Sequence, residues 1–237
     1  MSGAQSGSYG QFCPVAMASE VLCRRWTTLI LRELLCGSTR FNELQKGMPR
    51  ISPGLLSERL RELEAHGLVR REPTGTGHAY RLSEAGEALR PLVTAMGEWG
   101  HRWVESTASL ANLDPSLLMW DMRRNLDPTP MPPRRCVIQF LYPDLAPGSR
   151  RWWLVVEPGT GVSLCYTDPG FDVDLHVSSS LRTMTAIWMG YTTLAAEVAS
   201  GMVHLTGDDA LRRSIDAWLG LSPFARNTVN RAAAEGA

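Results

Sequence analysis

The chain has 237 residues, enough for two domains at roughly 150 residues each. Its 24 basic and 24 acidic residues cancel, which excludes a histone-like protein or one built around a polybasic tail. Hydrophobic residues at 44% and charged residues at 20% suit a globular core and exclude wholesale disorder.

Residues 1–11, beginning MSGAQSGSYG, are small and polar, a flexible start with no apolar segment of a secretory signal. The uncharged stretch most like a span, residues 183–196, is interrupted by Thr and Gly and falls short of the ~20 residues that cross a bilayer, so no membrane association is expected. Cys13, Cys23, Cys36, Cys136 and Cys165 form no CxxC and no zinc-type spacing. They read as reduced thiols of a cytoplasmic protein without a metal, with Cys23 and Cys36 expected inside.

Residues 14–23 read as a short helix. In residues 26–35, Trp26, Leu29, Ile30 and Leu34 recur at the spacing of a buried helical stripe, and Gly37 stops the helix. A third short helix covers 41–48. Ser52 and Pro53 then supply an N-cap and a first-turn proline for a helix running to Gly67, with Leu56, Leu60 and Leu63 on one face. Two strands, 68–72 and 78–82, flank Pro73-Thr74-Gly75-Thr76-Gly77 as a hairpin. A long helix from 83 to about 106 places Leu89, Leu92, Val93, Met96, Trp99 and Trp103 on one stripe.

Four helices, a hairpin and a helix are the order of a winged helix-turn-helix. At 100° per residue from the Leu56 stripe, the opposite face of the fourth helix carries Gly54, Ser57, Glu58 and Arg61. Short polar residues with one long cation behind them fit a major groove. Arg59 falls beside the core face and is not expected to read bases. A merely solvated amphipathic helix would share this pattern; the order of elements favours DNA.

The segments CPVAMASEVLCRRWTTLILRELLCG, RFNELQKGMPRISPGLLSERLRELEAHGLVRR and YRLSEAGEALRPLV resemble the HxlR family of winged-helix transcriptional regulators. The resemblance spans residues 12–105 and defines a DNA-binding domain at 12–106 with a long dimerisation helix. It implies a homodimer, a repressor on double-stranded DNA with an inverted-repeat operator. It also implies that Ser52 and helix 53–66 enter the groove and that Thr74, Thr76 and His78 form a wing tip near the minor groove. Arg40 and Asn42 would then stand by the phosphates. Arg61, Arg71, Arg81 and Arg40 are expected to cluster on one side while Glu62, Glu64, Glu72, Glu84 and Glu87 face elsewhere. Cys13, just before Pro14, occupies the place of the family's N-terminal cysteine, which in some members senses oxidants or electrophiles.

Residues 107–135 read as a connection: Asp114-Pro115 caps a helix at 116–126, and DPTPMPPRR breaks the chain. Strand candidates follow at 136–142, 151–157, 162–167 and 172–177, the first three spaced for antiparallel pairing. Helices at 180–189 and 192–199, the strand MVHLTG and a helix at 208–219 complete the order. The segment DVDLHVSSSLRTMTAIWMG, with ASGMVHLTGDDALRRSIDAWL, is similar to the sterol carrier protein type 2-like domain. That resemblance implies a domain at 136–222, a sandwich of mostly antiparallel sheet with helices on one face and an apolar tunnel, before a tail at 223–237. The fold class expected for the whole chain is therefore α+β. Tryptophan and methionine concentrate in this half, making Trp120, Trp153, Met184, Trp188 and Met189 candidates to line a site for a small apolar effector. Core filling or a dimer seam would use the same residues.

No GxSxG, HExxH, P-loop or GxGxxG occurs, and Asp208-Asp209 reads as a helix cap, so neither an enzyme nor a cofactor is expected. The leading expectation is an effector-responsive DNA-binding regulator. Two others stand beside it: a thiol switch through Cys13 with a purely structural second domain, and a lipid carrier that uses a helix-turn-helix as an interaction module.

Overall fold

The computed structural model describes residues 8–75, 77–104 and 110–225. It divides into two compact units, with the division after Met96. The first contains α1 (Pro14–Leu22), α2 (Thr27–Leu35), α3 (Phe41–Lys46), α4 (Pro53–Ala65), the hairpin β1 (Val69–Thr74) and β2 (Gly77–Leu82), and α5 (Glu84–Glu87). The helix α6 (Arg90–Trp103) begins in this unit and ends in the second.

One apolar cluster holds the first unit together: Ile30, Leu31 and Leu34, Leu44, Met48 and Ile51, Leu56, Leu60 and Leu63, with Val69 and Leu82 of the hairpin. The α2 stripe differs from expectation. Trp26 stands outside the helix with φ 79°, so the stripe runs from Thr27 through Ile30, Leu31 and Leu34, and Leu29 is left exposed. Cys23 and Cys36 are also exposed rather than buried, because they occupy the C-cap positions of α1 and α2.

The expected helix 83–106 is broken in two. Pro91 has no N–H for the carbonyl of Glu87 and its ring crowds that carbonyl, so α5 ends and α6 starts afresh. Only part of the expected stripe packs on the core: Leu89 and Val93 lie half-buried against the first unit's cluster, and the rest does not. Leu92, Met96, Trp99 and Trp103 are 46%, 49%, 62% and 64% exposed, and no described residue of this helix is buried.

The second unit contains α7 (Pro115–Asn125), β3 (Cys136–Leu141), β4 (Arg151–Glu157), β5 (Gly161–Cys165), β6 (Leu175–Ser179), α8 (Leu181–Trp188), α9 (Leu194–Ala199), β7 (Val203–Gly207), α10 (Asp209–Arg213) and α11 (Ile215–Leu219). The strands form one sheet in the order β5-β4-β3-β6-β7. Three pairings are antiparallel, but β3 and β6 run parallel at the centre. Asp114 caps α7 and Asp208 caps α10, each accepting two backbone N–H groups.

Two boundaries moved for local reasons. The strand expected at 172–177 starts at Leu175, because Asp174 is held at its edge: one carboxylate oxygen accepts the Val137 N–H at 2.8 Å and the other pairs with Arg134 at 2.6 Å. The helix expected at 208–219 is interrupted at Ser214 into α10 and α11.

One sheet face carries Ile138, Phe140, Leu154, Leu175 and Val177 against Met119, Met122, Met184, Trp188 and Trp218. Val137, Trp153 and Val155 form a small cluster on the other face. The end of α6 packs within this unit: His101 stacks on Tyr191 with ring centroids 5.6 Å apart, and a Cβ on Gly97 would fall 2.1 Å from the Phe224 ring. These contacts explain why the division falls at Met96 and not at residue 106, which lies outside the described residues.

Candidate nucleic-acid interface

Helix α4 is fixed at its start by Ser52, whose hydroxyl accepts the Leu55 N–H at 3.3 Å, and along its length by buried Leu56, Leu60 and Leu63. The opposite face is open. Ser52, Gly54, Glu58 and Arg61 are exposed and Ser57 is half-buried. The Arg61 side chain folds along its own helix, with Nε donating to the Ser57 carbonyl at 3.3 Å.

Arg40 is the N-cap residue of α3, and the carboxylate of Glu43 accepts its N–H and that of Thr39 at 3.0 and 2.9 Å. Asn42 is exposed in the first turn. Arg40 reaches across to the hairpin, where Nη1 donates to the Thr74 hydroxyl at 2.6 Å. The Tyr80 N–H donates to the Thr39 carbonyl at 2.8 Å, so the wing is joined to the start of α3 by a backbone and a side-chain bond. Thr76 lies outside the described residues.

The β1–β2 register places Arg71 opposite Tyr80, Pro73 opposite His78, and Arg70 opposite Arg81. Alternation therefore puts Arg71 and His78 on one face of the hairpin and Arg81 on the other. Arg71 and Arg81 do not cluster on one side as expected. Nor does Glu72 face elsewhere: it pairs with Arg81 at 2.8 Å, offsetting the like charges of Arg70 and Arg81. Arg71 Nη2 lies 3.1 Å from His78 Nδ1. Arg50 and Arg70 are further exposed cations of this unit, outside the set expected from sequence. Arg50 stands in the turn just before α4.

The apolar candidates of the second unit do not converge as a set. Met184 and Trp188 sit in the main core on α8, with half-buried Met189 at its C-cap. Trp188 Nε1 donates to Asp121 at 2.8 Å. Trp153 belongs to the cluster on the other side of the sheet, and Trp120 is buried beneath the Arg123 guanidinium, 4.5 Å from the ring centroid.

Cys13 is the N-cap residue of α1 and is partly exposed. The Ala16 and Val15 N–H groups at the helix start hold its thiol below the ordinary cysteine pKa, without closing a geometric cap bond to sulfur. Burial pushes the Cys136 thiol the other way. Among the described residues, no group of His, Cys, Asp and Glu is arranged to hold a metal, and no helix is long and apolar enough to cross a membrane.

The family model described as HxlR-like helix-turn-helix matches residues 21–108. The HTH-type transcriptional regulator YvaP of Bacillus subtilis is 37% identical over 99 residues, 40% of this chain and 92% of that protein. YodB, an HTH-type transcriptional regulator of the same organism, is 36% identical over 97 residues, 39% of this chain and 87% of that protein. Among solved structures, the redox regulator HypR in its reduced form shares 34% identity, covering 41% of this chain and 99% of HypR with a TM-score of 0.38. The family match takes in most of the first unit and α6.

Proposed function

The chain belongs to the HxlR-like helix-turn-helix family of transcriptional regulators, and from that premise we propose a dimeric repressor that reads an inverted-repeat operator with α4. The observation that carries this reading is the open polar face of α4. Gly54 and Ser57 leave room for base edges near the start of the helix, and Arg61 supplies a donor fork one turn further on. Arg40, Asn42 and the wing residues Thr74 and His78 serve phosphates and position the duplex. The exposed part of the α6 stripe supports the dimer, since Trp99 and Trp103 are large apolar side chains left 62% and 64% exposed.

The second unit is read as a sterol-carrier-type domain for a small apolar effector, supported by its strand, helix pair, strand and helix order from β6 to α11. Met184, Trp188 and Met189, together on α8, are the candidates to touch it. Such an effector acts by binding the free and DNA-bound states unequally.

A mobility shift on the DNA upstream of the protein's own gene tests the reading. A retarded band at a palindrome, weakening steeply with salt, is expected; no band at any palindrome there, at low salt, overturns it. Extraction and mass spectrometry of purified protein tests the effector. A stoichiometric lipid without DNA binding would favour a lipid carrier instead.

One observation favours a second reading. The partly exposed Cys13 thiol has a lowered pKa, as a redox sensor requires. Diamide releasing DNA from the wild type but not from Cys13→Ser would support it.

A further inference from the structure

We propose that Arg59 and Glu62 are positioning residues for α4: they anchor its flank to the corner between α1 and α2, fix the direction of its base-reading face, and so set sequence discrimination without touching DNA. The inference rests on α4 as the reading helix. At 100° per residue both side chains lie on the flank of α4, between the buried leucines and the outward face.

Each oxygen of the Glu62 carboxylate takes a different guanidinium. Oε1 accepts from Arg24 Nη1 at 2.8 Å, and Oε2 from Arg59 Nη1 at 2.7 Å. Arg59 Nε also donates to the Arg25 carbonyl at 3.3 Å. That carbonyl is a fixed point, because Trp26 follows it in the left-handed region at φ 79°, and its ring packs on the apolar core of the unit. Beyond Arg24, the Glu20 carboxylate accepts the Tyr9 N–H at 2.6 Å and the Ser8 hydroxyl at 2.9 Å, which ties the N-terminal segment to the same end of α1.

The energetics favour position over stability. Arg59, Glu62 and Arg24 are 16%, 27% and 45% exposed, and partly exposed pairs of this kind add little to stability. The leucine stripe alone lets a helix rock about its axis, and displacements of about 0.5 Å spoil a bidentate contact. The bonds from Glu62 to Arg24 and from Arg59 to the Arg25 carbonyl oppose that rocking from the flank facing the segment between α1 and α2.

The test uses the full chain. The preferred duplex is selected from a random library with wild-type protein, and affinities for it and for a shuffled duplex are compared by fluorescence anisotropy. Glu62→Gln and Arg24→Ala are expected to weaken the selected duplex about tenfold, the size of one lost base contact, while the shuffled duplex stays within about twofold. Arg59→Lys keeps the charge but cannot serve both Glu62 and the Arg25 carbonyl, and should fall between. An unchanged ratio of the two affinities overturns the proposal, including an equal loss on both duplexes, which would make Arg24 and Arg59 phosphate contacts. Circular dichroism confirms folding, and if Glu62→Gln misfolds, Arg24→Ala and Arg59→Lys decide. A wild type that enriches no sequence overturns the reading role of α4 and this inference with it; a selected site bound equally by the variants overturns only the inference.

Discussion

Glu33 lies directly beneath Gly47: a Cβ built on Gly47 would stand 2.0 Å from the Glu33 carboxyl carbon. Glu33 is fully buried, pairs with Arg32 at 2.8 Å and accepts from the Ser38 hydroxyl at 3.3 Å. Arg32 also donates to the Gly47 carbonyl at 2.9 Å. The turn from α3 to α4 is thus closed over a buried carboxylate, and the angle of α4 depends on it. Gly47→Ala should cost about 1–3 kcal/mol by overpacking. Glu33→Ala should cost about 2 kcal/mol, since Arg32 is partly exposed and regains water. In urea denaturation the double variant should cost less than the two singles together, by about 1 kcal/mol, because the cavity left at 33 admits the new methyl. Strict additivity would show that the two residues do not compete for the same space.

Arg61 and Arg40 should fail differently on DNA. Arg61→Ala removes the fork on the open face of α4, and is expected to cost about 1–3 kcal/mol on the preferred site while relaxing preference at one base step. Arg40→Ala should weaken every sequence alike and lower the salt slope by about 1, the signature of one phosphate contact. It also frees Thr74, so the wing tip should exchange amide hydrogens faster. Anisotropy titrations at several salt concentrations separate the two, and an Arg40→Ala loss confined to one sequence would reassign that residue to base reading.

The parts of the site legible in the sequence are those set by one helix. Ser52, Pro53 and the leucines at 56, 60 and 63 determine where α4 starts and which way it faces, and 100° arithmetic then locates Gly54, Ser57, Glu58 and Arg61. What was missed is non-local. The Arg40–Thr74 and Arg24–Glu62 bonds join residues more than thirty apart, and no periodicity points to them. Turn chemistry reported the β3–β4 and β4–β5 pairings but could not report the parallel β3–β6 pair, whose partners are not consecutive. The α6 stripe illustrates a different limit: periodicity detects an apolar face and is silent about what covers it.

That face gives the third prediction. Trp99→Asp or Met96→Asp puts a charge in the middle of the α6 stripe, where a second copy would have to bury it. Because the stripe is exposed in the single chain, folding should survive, while sedimentation equilibrium should shift from dimer to monomer and affinity for a two-half-site operator should fall by at least about a hundredfold, as avidity is lost. A variant that stays dimeric would place the dimer contact elsewhere.

Thiol reactivity should separate the cysteines by their surroundings. The helix-start N–H groups favour the Cys13 thiolate, whereas Cys136 is buried with its pKa raised. In iodoacetamide alkylation of the folded chain followed by mass spectrometry, the Cys13 rate should level off at lower pH than that of free cysteine measured alongside. Cys136 should be modified only on unfolding. Rates for Cys13 that rise with pH in step with those for free cysteine would remove the helix-start effect.

His101 makes the second unit sensitive to acid. Its ring is stacked on Tyr191, its Nδ1 is buried without a partner among the described residues, and burial lowers its pKa from the ordinary value of 6.5. Below pH 6.5 the unfolded chain therefore binds a proton that the folded chain still refuses, so stability falls as pH drops from there to the folded-state pKa and levels off beneath it. Other groups titrate in the same range, so the slope is assigned by difference. His101→Phe keeps an aromatic ring against Tyr191 and cannot take a proton. Thermal melts followed by tryptophan fluorescence should show the wild type losing more of its Tm between pH 7 and pH 5 than the variant does, with the two closest at pH 7. Parallel pH profiles would mean that His101 is protonated as readily in the folded chain as in the unfolded one, and that the stack opens to water.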